Sequence, residues 1–125
     1  MISKLDNNFS LLEASFKALS QRQEILSSNV ANESTPNYKA QDFDFKRAIS
    51  DVVSTSEMAK QSAVIAGKPH LPSYVFFRNN VAGVDGNNVR VDEERRELAE
   101  NSLRYEAAVT SAQIDIKNLL NVLQG

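Results

Sequence analysis

The residues able to do chemistry in this chain are few and scattered. His70 is the single histidine, and no cysteine is present. It stands between Pro69 and Leu71 with no acid, base or second ligand close by in sequence, whereas catalytic and metal sites are built from clustered groups. A solvated or structural imidazole is the reading this context supports. Glu93, Glu94 and Glu97 interleave with Arg95 and Arg96. Two carboxylates there would suit acid–base work, but i,i+3 and i,i+4 pairing on a solvated helix face is the commoner use of such a run. Asp85-Gly86-Asn87 opens like a calcium loop yet lacks the later ligands and the closing Glu, so it reads as a turn. Ser28 and Thr35 have no base in range to activate a hydroxyl. The sequence thus predicts neither catalytic residues, nor metal ligands, nor a cofactor site; the chain is expected not to be an enzyme.

Amides are a different matter. Asn29 and Asn32 stand three apart at the end of a long helical pattern, and Gln23 interrupts its apolar stripe. They admit two readings: polar residues closing a helix, or buried amides that bond across subunits and fix register.

The elements that must position these groups follow from periodicity. Ser3 and Asp6 fit a capping box, and Leu5, Phe9, Leu12, Phe16, Leu19, Leu26 and Val30 then recur in alternating steps of four and three. That is a narrow coiled-coil stripe. It should stop near Asn32, because Pro36 excludes Thr35 from the helical region. Thr35-Pro36-Asn37-Tyr38 reads as a β-turn, with Asn37 suited to positive φ. Phe43 and Phe45 alternate with Asp42 and Asp44 as a short extended stretch, and Ala48 to Val53 suggests one or two helical turns. Ser54 to Ser73 reads as a mobile loop. Tyr74–Phe77 and Val89–Val91, joined across the Asp85–Asn88 turn, suggest a small β-hairpin. A last helix is expected from Asp92 as N-cap, with its stripe at Leu98, Ser102, Tyr105, Val109, Ala112, Ile116, Leu119 and Leu123. The predicted fold is mainly α: long N- and C-terminal helices pairing as a coiled-coil hairpin, with a small irregular and β-hairpin middle. Three regions result, 1–34, 35–91 and 92–125, forming together one core domain.

Composition narrows the function. Lys plus Arg number 14 against 16 Asp plus Glu, so there is no cationic surplus for phosphate neutralisation and no case for nucleic acid. No stretch approaches the roughly 20 apolar residues of a membrane span, and the N-terminus has no apolar run of a cleavable signal. Ile25, Leu103, Ile114, Leu120 and Val122 lie off the two stripes and widen them, which predicts contact with more than one neighbour. The stripes are thus expected to be completed by other protein molecules. A polymer subunit and a soluble adaptor that binds a partner helix both fit; a discrete oligomer in light scattering would mark the adaptor.

Ser28, Asn29, Val30, Ala31, Asn32, Thr35, Pro36, Tyr38 and Lys39 form a segment that resembles the signature of bacterial flagellar rod and hook proteins. It departs at Asn37, where the family has Gly. Gly86, Asn87, Asn88 and Val89, followed by Leu98, Asn101 and Tyr105, resemble the C-terminal segment of the proximal rod proteins. The resemblance implies a structural subunit that is exported without a cleavable signal through the flagellar type III apparatus. It would assemble helically in the periplasm, as drive shaft and export channel of the basal body. It implies as partners copies of itself, the FliE adaptor at the membrane ring, and FlgC and other rod proteins, with FlgC itself the runner-up identity. Of the two apolar stripes, Leu5, Phe9, Leu12, Phe16, Leu19, Leu26, Val109, Ala112, Ile116, Leu119 and Leu123 are expected to serve as assembly seam.

Overall fold

The structure is a computed structural model and describes residues 2–59 and 74–125. The elements run α1 (Ile2–Ala31), β1 (Gln41–Phe43), α2 (Phe45–Ala59), β2 (Val75–Phe77) and α3 (Val91–Gln124). The fold is mainly α, as the periodicity requires. Two long helices, of 30 and 34 residues, pack along each other as an antiparallel pair. A two-stranded antiparallel sheet and α2 sit against the C-terminal half of α1.

The core lies where α1 meets this middle region. Ala18, Phe43 and Ala48 are buried, with Ile25, Phe45, Ile49 and Tyr74 packed around them. The Phe43 and Tyr74 rings meet edge to face at 5.7 Å. Aromatic pairs favour this geometry because the positive edge of one ring faces the negative face of the other.

Several expectations are corrected. The hairpin between Tyr74–Phe77 and Val89–Val91 is not formed. β2 pairs instead with β1, in the register Gln41↔Phe77, Asp42↔Phe76 and Phe43↔Val75, and Val91 opens α3. Phe45 does not extend the strand but starts α2. The reason is Asp44, whose carboxylate accepts the Arg47 N–H at 3.1 Å and so caps the helix. α2 also runs through Ser54–Ala59, where the Ser- and Ala-rich composition predicts a loop. The remainder of that loop, with His70, lies outside the described residues.

Helix ends shift as well. α1 begins at Ile2, before the expected Ser3 cap. The N-cap of α3 is Arg90, with no side-chain cap hydrogen bond, so Asp92, Glu93 and Glu94 all fall in the first turn. Negative charge there is favoured by the unpaired N–H groups of the helix start. No helix among the described residues is long and apolar enough to cross a membrane.

Candidate functional site

The end of α1 is closed by its own amides. Asn32 Nδ2 donates to Ser28 O at 2.8 Å, a carbonyl that also accepts the Asn32 N–H at 3.0 Å. Thr35 Oγ1 donates to Asn32 Oδ1 at 3.0 Å. The turn then closes through Tyr38 N–H to Thr35 O at 3.3 Å, with Asn37 at φ 61°. Asparagine tolerates this left-handed conformation, as the turn chemistry of the sequence requires.

What the sequence does not show is that the two motif segments are one object. Asn37 N–H donates to Asp85 O at 3.0 Å, and Asn88 N–H to Tyr38 O at 3.3 Å. Asn87 Nδ2 reaches both Asn32 O and Thr35 O at 2.8 Å. Asn88 accepts from Ala40 N–H at 2.6 Å and donates to the carbonyls of Arg78 and Asn80. Lys39 Nζ donates to Gly86 O. Each of these amide bonds ties the backbone of one segment to the other, at about 0.5–1.5 kcal/mol net apiece. The 28–39 segment and Gly86–Val89 therefore form a clasp that holds the root of α3 against the end of α1.

Gly86 sits in this clasp at φ 79°. A Cβ there would press on Asn37 Oδ1 and lie 3.3 Å from Asn37 Cα. Gly86→Ala is expected to cost about 2 kcal/mol, from left-handed backbone strain and overpacking together. Urea unfolding measures it, and adding Asn37→Gly should return the overpacking part. An unchanged midpoint in Gly86→Ala would contradict the clasp geometry.

Beneath the clasp lies a charge cluster that the sequence reading missed. The run Glu93–Glu97 is not a plain solvated face: Glu94 is fully buried. Its Oε2 accepts from Asn29 Nδ2 at 2.9 Å, and its Oε1 lies 2.7 Å from Arg78 Nε. Arg78 also stands 3.1 Å from Asp42 Oδ2. Asp42 Oδ1 accepts from Arg22 Nε at 3.0 Å, and Arg22 reaches Glu97 Oε2 at 2.6 Å. α1, β1, the segment after β2, and α3 are thus tied at one point. Burial raises the Glu94 pKa above its ordinary value, and the hydrogen bond from Asn29 and the charge of Arg78 offset only part of that. Burial opposes the Arg22 charge too, but Asp42 and Glu97 together outweigh it and hold its pKa above the usual value.

Asn29 is the centre of the arrangement. It is fully buried, and its amide bonds are made within the chain rather than to a neighbour. Besides Glu94, its Nδ2 donates to Gln41 O at 2.6 Å. Its Oδ1 accepts from Gln41 N–H at 3.1 Å and from Tyr38 OH at 3.2 Å. The side chain acts as a short surrogate strand on the edge of β1, which caps that edge.

A signal for this cluster was present in the seam phase. Four residues back from Leu98 is Glu94, and three beyond Leu19 and Leu26 are Arg22 and Asn29. Polar residues at inward positions are buried only when they are paired. Val30 is half-buried and Ala31 exposed at the helix end; Pro36 is exposed in the turn, and Val89 is half-buried.

Along the helix pair, Leu19, Leu26 and Ala112 are buried, while Leu12, Phe16, Leu98, Val109 and Leu119 are half-buried. Phe16 meets Tyr105 edge to face at 5.6 Å. The polar interruptions of the two stripes meet each other: Gln23 Nε2 donates to Ser102 Oγ at 3.1 Å. Asn101, fully buried, donates to Leu19 O at 3.0 Å and Gln23 Oε1 at 2.8 Å. Register between α1 and α3 is set by these amides. Toward the free ends burial fades, and Leu5, Phe9, Ile116 and Leu123 are exposed.

Known proteins share this arrangement of sequence. The family model described as Flagella basal body rod protein matches residues 16–39, the end of α1 and the first half of the clasp. The flagellar basal body rod protein FlgB of Salmonella typhimurium is 32% identical over 136 residues, spanning 100% of this chain and 99% of the relative. FlgB of Buchnera aphidicola is 33% identical over 133 residues, spanning 100% of both. FlgB of Aeromonas hydrophila is 34% identical over 133 residues, spanning 100% of this chain and 98% of the relative. With similarity running end to end at that level, the chain belongs to the FlgB family of flagellar basal body rod proteins.

Proposed function

We propose that this chain is a structural subunit of the proximal rod, which polymerises helically through its terminal helices to build the drive shaft and export channel of the basal body. The observation that carries this reading is the uncovered apolar surface at the free ends of α1 and α3. Leu120 is 50% exposed, Val122 78% and Leu123 75%. Leu5, Phe9, Leu12, Leu119 and Val122 line an open groove of about 270 Å³ between the two helices. Exposed apolar surface of this extent marks a protein interface. Staggered head-to-tail contacts over such a seam generate a tube, because the interface is not self-complementary and does not close.

On this reading the clasp fixes the angle at which the middle region leaves the helical shaft, and the seam residues make the subunit contacts. Its partners are other copies, FliE at the membrane ring, and FlgC with the other rod proteins. Delivery is through the type III export apparatus into the periplasm. The role is mechanical, with no catalytic step.

Leu119→Asp tests it. The substitution places a charge in the half-buried seam, where an unpaired carboxylate is costly. Export of the variant should persist while rod assembly and swimming are lost. Normal motility on soft agar would count decisively against the proposal.

A further inference from the structure

We infer that copies of this chain meet flank to flank, an acidic groove on one copy receiving a cationic and aromatic groove of the next. The inference rests on the rod-subunit reading and names the lateral contact within it.

The first groove, of about 470 Å³, is lined by Ser20, Gln23, Glu24, Ser27, Tyr105 and Glu106 among others. Glu24, Tyr105 and Glu106 are exposed there. The second, of about 650 Å³, is lined by Phe43, Phe45, Lys46, Ile49, Phe76 and Arg104, together with Arg22 and Asp44.

Their placement is what matters. Positions two apart on a helix point about 200° apart. Arg22 and Glu24 on α1, and Arg104 and Glu106 on α3, therefore face opposite flanks of the same helix pair at the same height. A copy displaced sideways around the shaft, with the small rotation and rise of a helical array, brings the acidic groove of one molecule against the cationic groove of its neighbour. That contact is head to tail, and so propagates.

The charges in the second groove are not equally available. Arg22 is held by Asp42 and Glu97, and Asp44 is engaged by the α2 N-terminus. Arg104 pairs with Glu100 at 2.9 Å, with both side chains about half exposed, a surface pair worth little and readily exchanged. Lys46 and Arg104 are thus the cations offered, and Glu24 with Glu106 the anions that receive them. Phe76, exposed on β2, supplies apolar area that such a contact would bury, next to the cations. Complementary charge across an interface directs register and excludes wrong neighbours.

The experiment is charge reversal in flagellated cells. Glu24→Lys with Glu106→Lys should cut the number of assembled rods by more than about tenfold, since like charges in contact cost several kcal/mol. Adding Lys46→Glu with Arg104→Glu to the same chain should restore assembly. All four positions are exposed, so circular dichroism of the purified variants should match the parent. Because the chain has no cysteine, Ser27→Cys with Phe76→Cys gives an independent readout. Oxidised basal bodies should yield a ladder of linked copies, which neither single variant gives. Wild-type assembly of the first variant, loss without rescue by the second, or absence of the ladder would each overturn the inference. If these fail while Leu119→Asp still blocks the rod, only the lateral contact is wrong; if Leu119→Asp assembles normally, the rod-subunit reading itself falls.

Discussion

Arg78→Ala is expected to lower the unfolding free energy by about 3–5 kcal/mol, because it leaves the buried Glu94 carboxylate without a counter-charge. Arg78 is the cation that touches Glu94 at 2.7 Å and Asp42 at 3.1 Å. Glu94 has no access to solvent, so water cannot take over the role of the guanidinium. Domain stabilities are of the order of 5–15 kcal/mol, so a loss of this size should also release the root of α3 from β1.

The penalty depends on pH, and the sign follows from Glu94. Its folded pKa is raised above the ordinary 4.5, burial being the largest cause. A raised carboxylate contributes stability that is complete below the unfolded value and is lost as pH rises through the folded one. Removing Arg78 takes away one of the two groups that hold the pKa down, so the variant loses stability over a wider interval. The difference from the parent should therefore be smallest at and below pH 4.5, the ordinary value, and grow as pH rises above it. Urea titrations across that interval measure it. A difference that stays flat with pH, or remains below about 1 kcal/mol, would show that the cluster does not hold the fold.

The second large effect is expected at Asn29. Asn29→Leu keeps the branching of the side chain at Cγ and does not lower helix propensity, but it removes every polar contact at the edge of β1. Gln41 N–H, Gln41 C=O and Glu94 Oε2 each lose the partner described above. At about 1–3 kcal/mol per stranded buried group, the sum over the three is on the order of 3–9 kcal/mol. Hydrogen exchange gives the local readout. The Gln41 amide should lose protection in the variant while amides in the middle of α1 keep theirs. Retained protection at Gln41 would mean that Asn29 is only a helix-end residue.

These two residues were not equally legible. Asn29 belongs to a motif, and its place three residues beyond Leu26 marks it as inward-facing. Arg78 carries no such mark: it follows a three-residue strand, and its partners lie on β1 and α3, far away in the chain. The strand pairing was obscure for the same reason. Val89–Val91 is the nearer partner for Tyr74–Phe77 in sequence, yet Asn88 is engaged by Ala40 and Val91 is taken up by α3. Strands this short contain too little pattern to select a mate.

By itself the sequence determined the two apolar stripes, their approximate limits and the positive-φ turn at Asn37. Each depends on geometry local to a few residues: helical period, proline exclusion, and the steric freedom of an asparagine. Only the tertiary structure decided that the two motifs clasp one another, that Gln23 meets Ser102, and that Glu94 alone of its acidic neighbours is buried against Arg78 and Asn29. Burial of a charge depends on which groups surround it in space, and neither composition nor spacing along one segment records that.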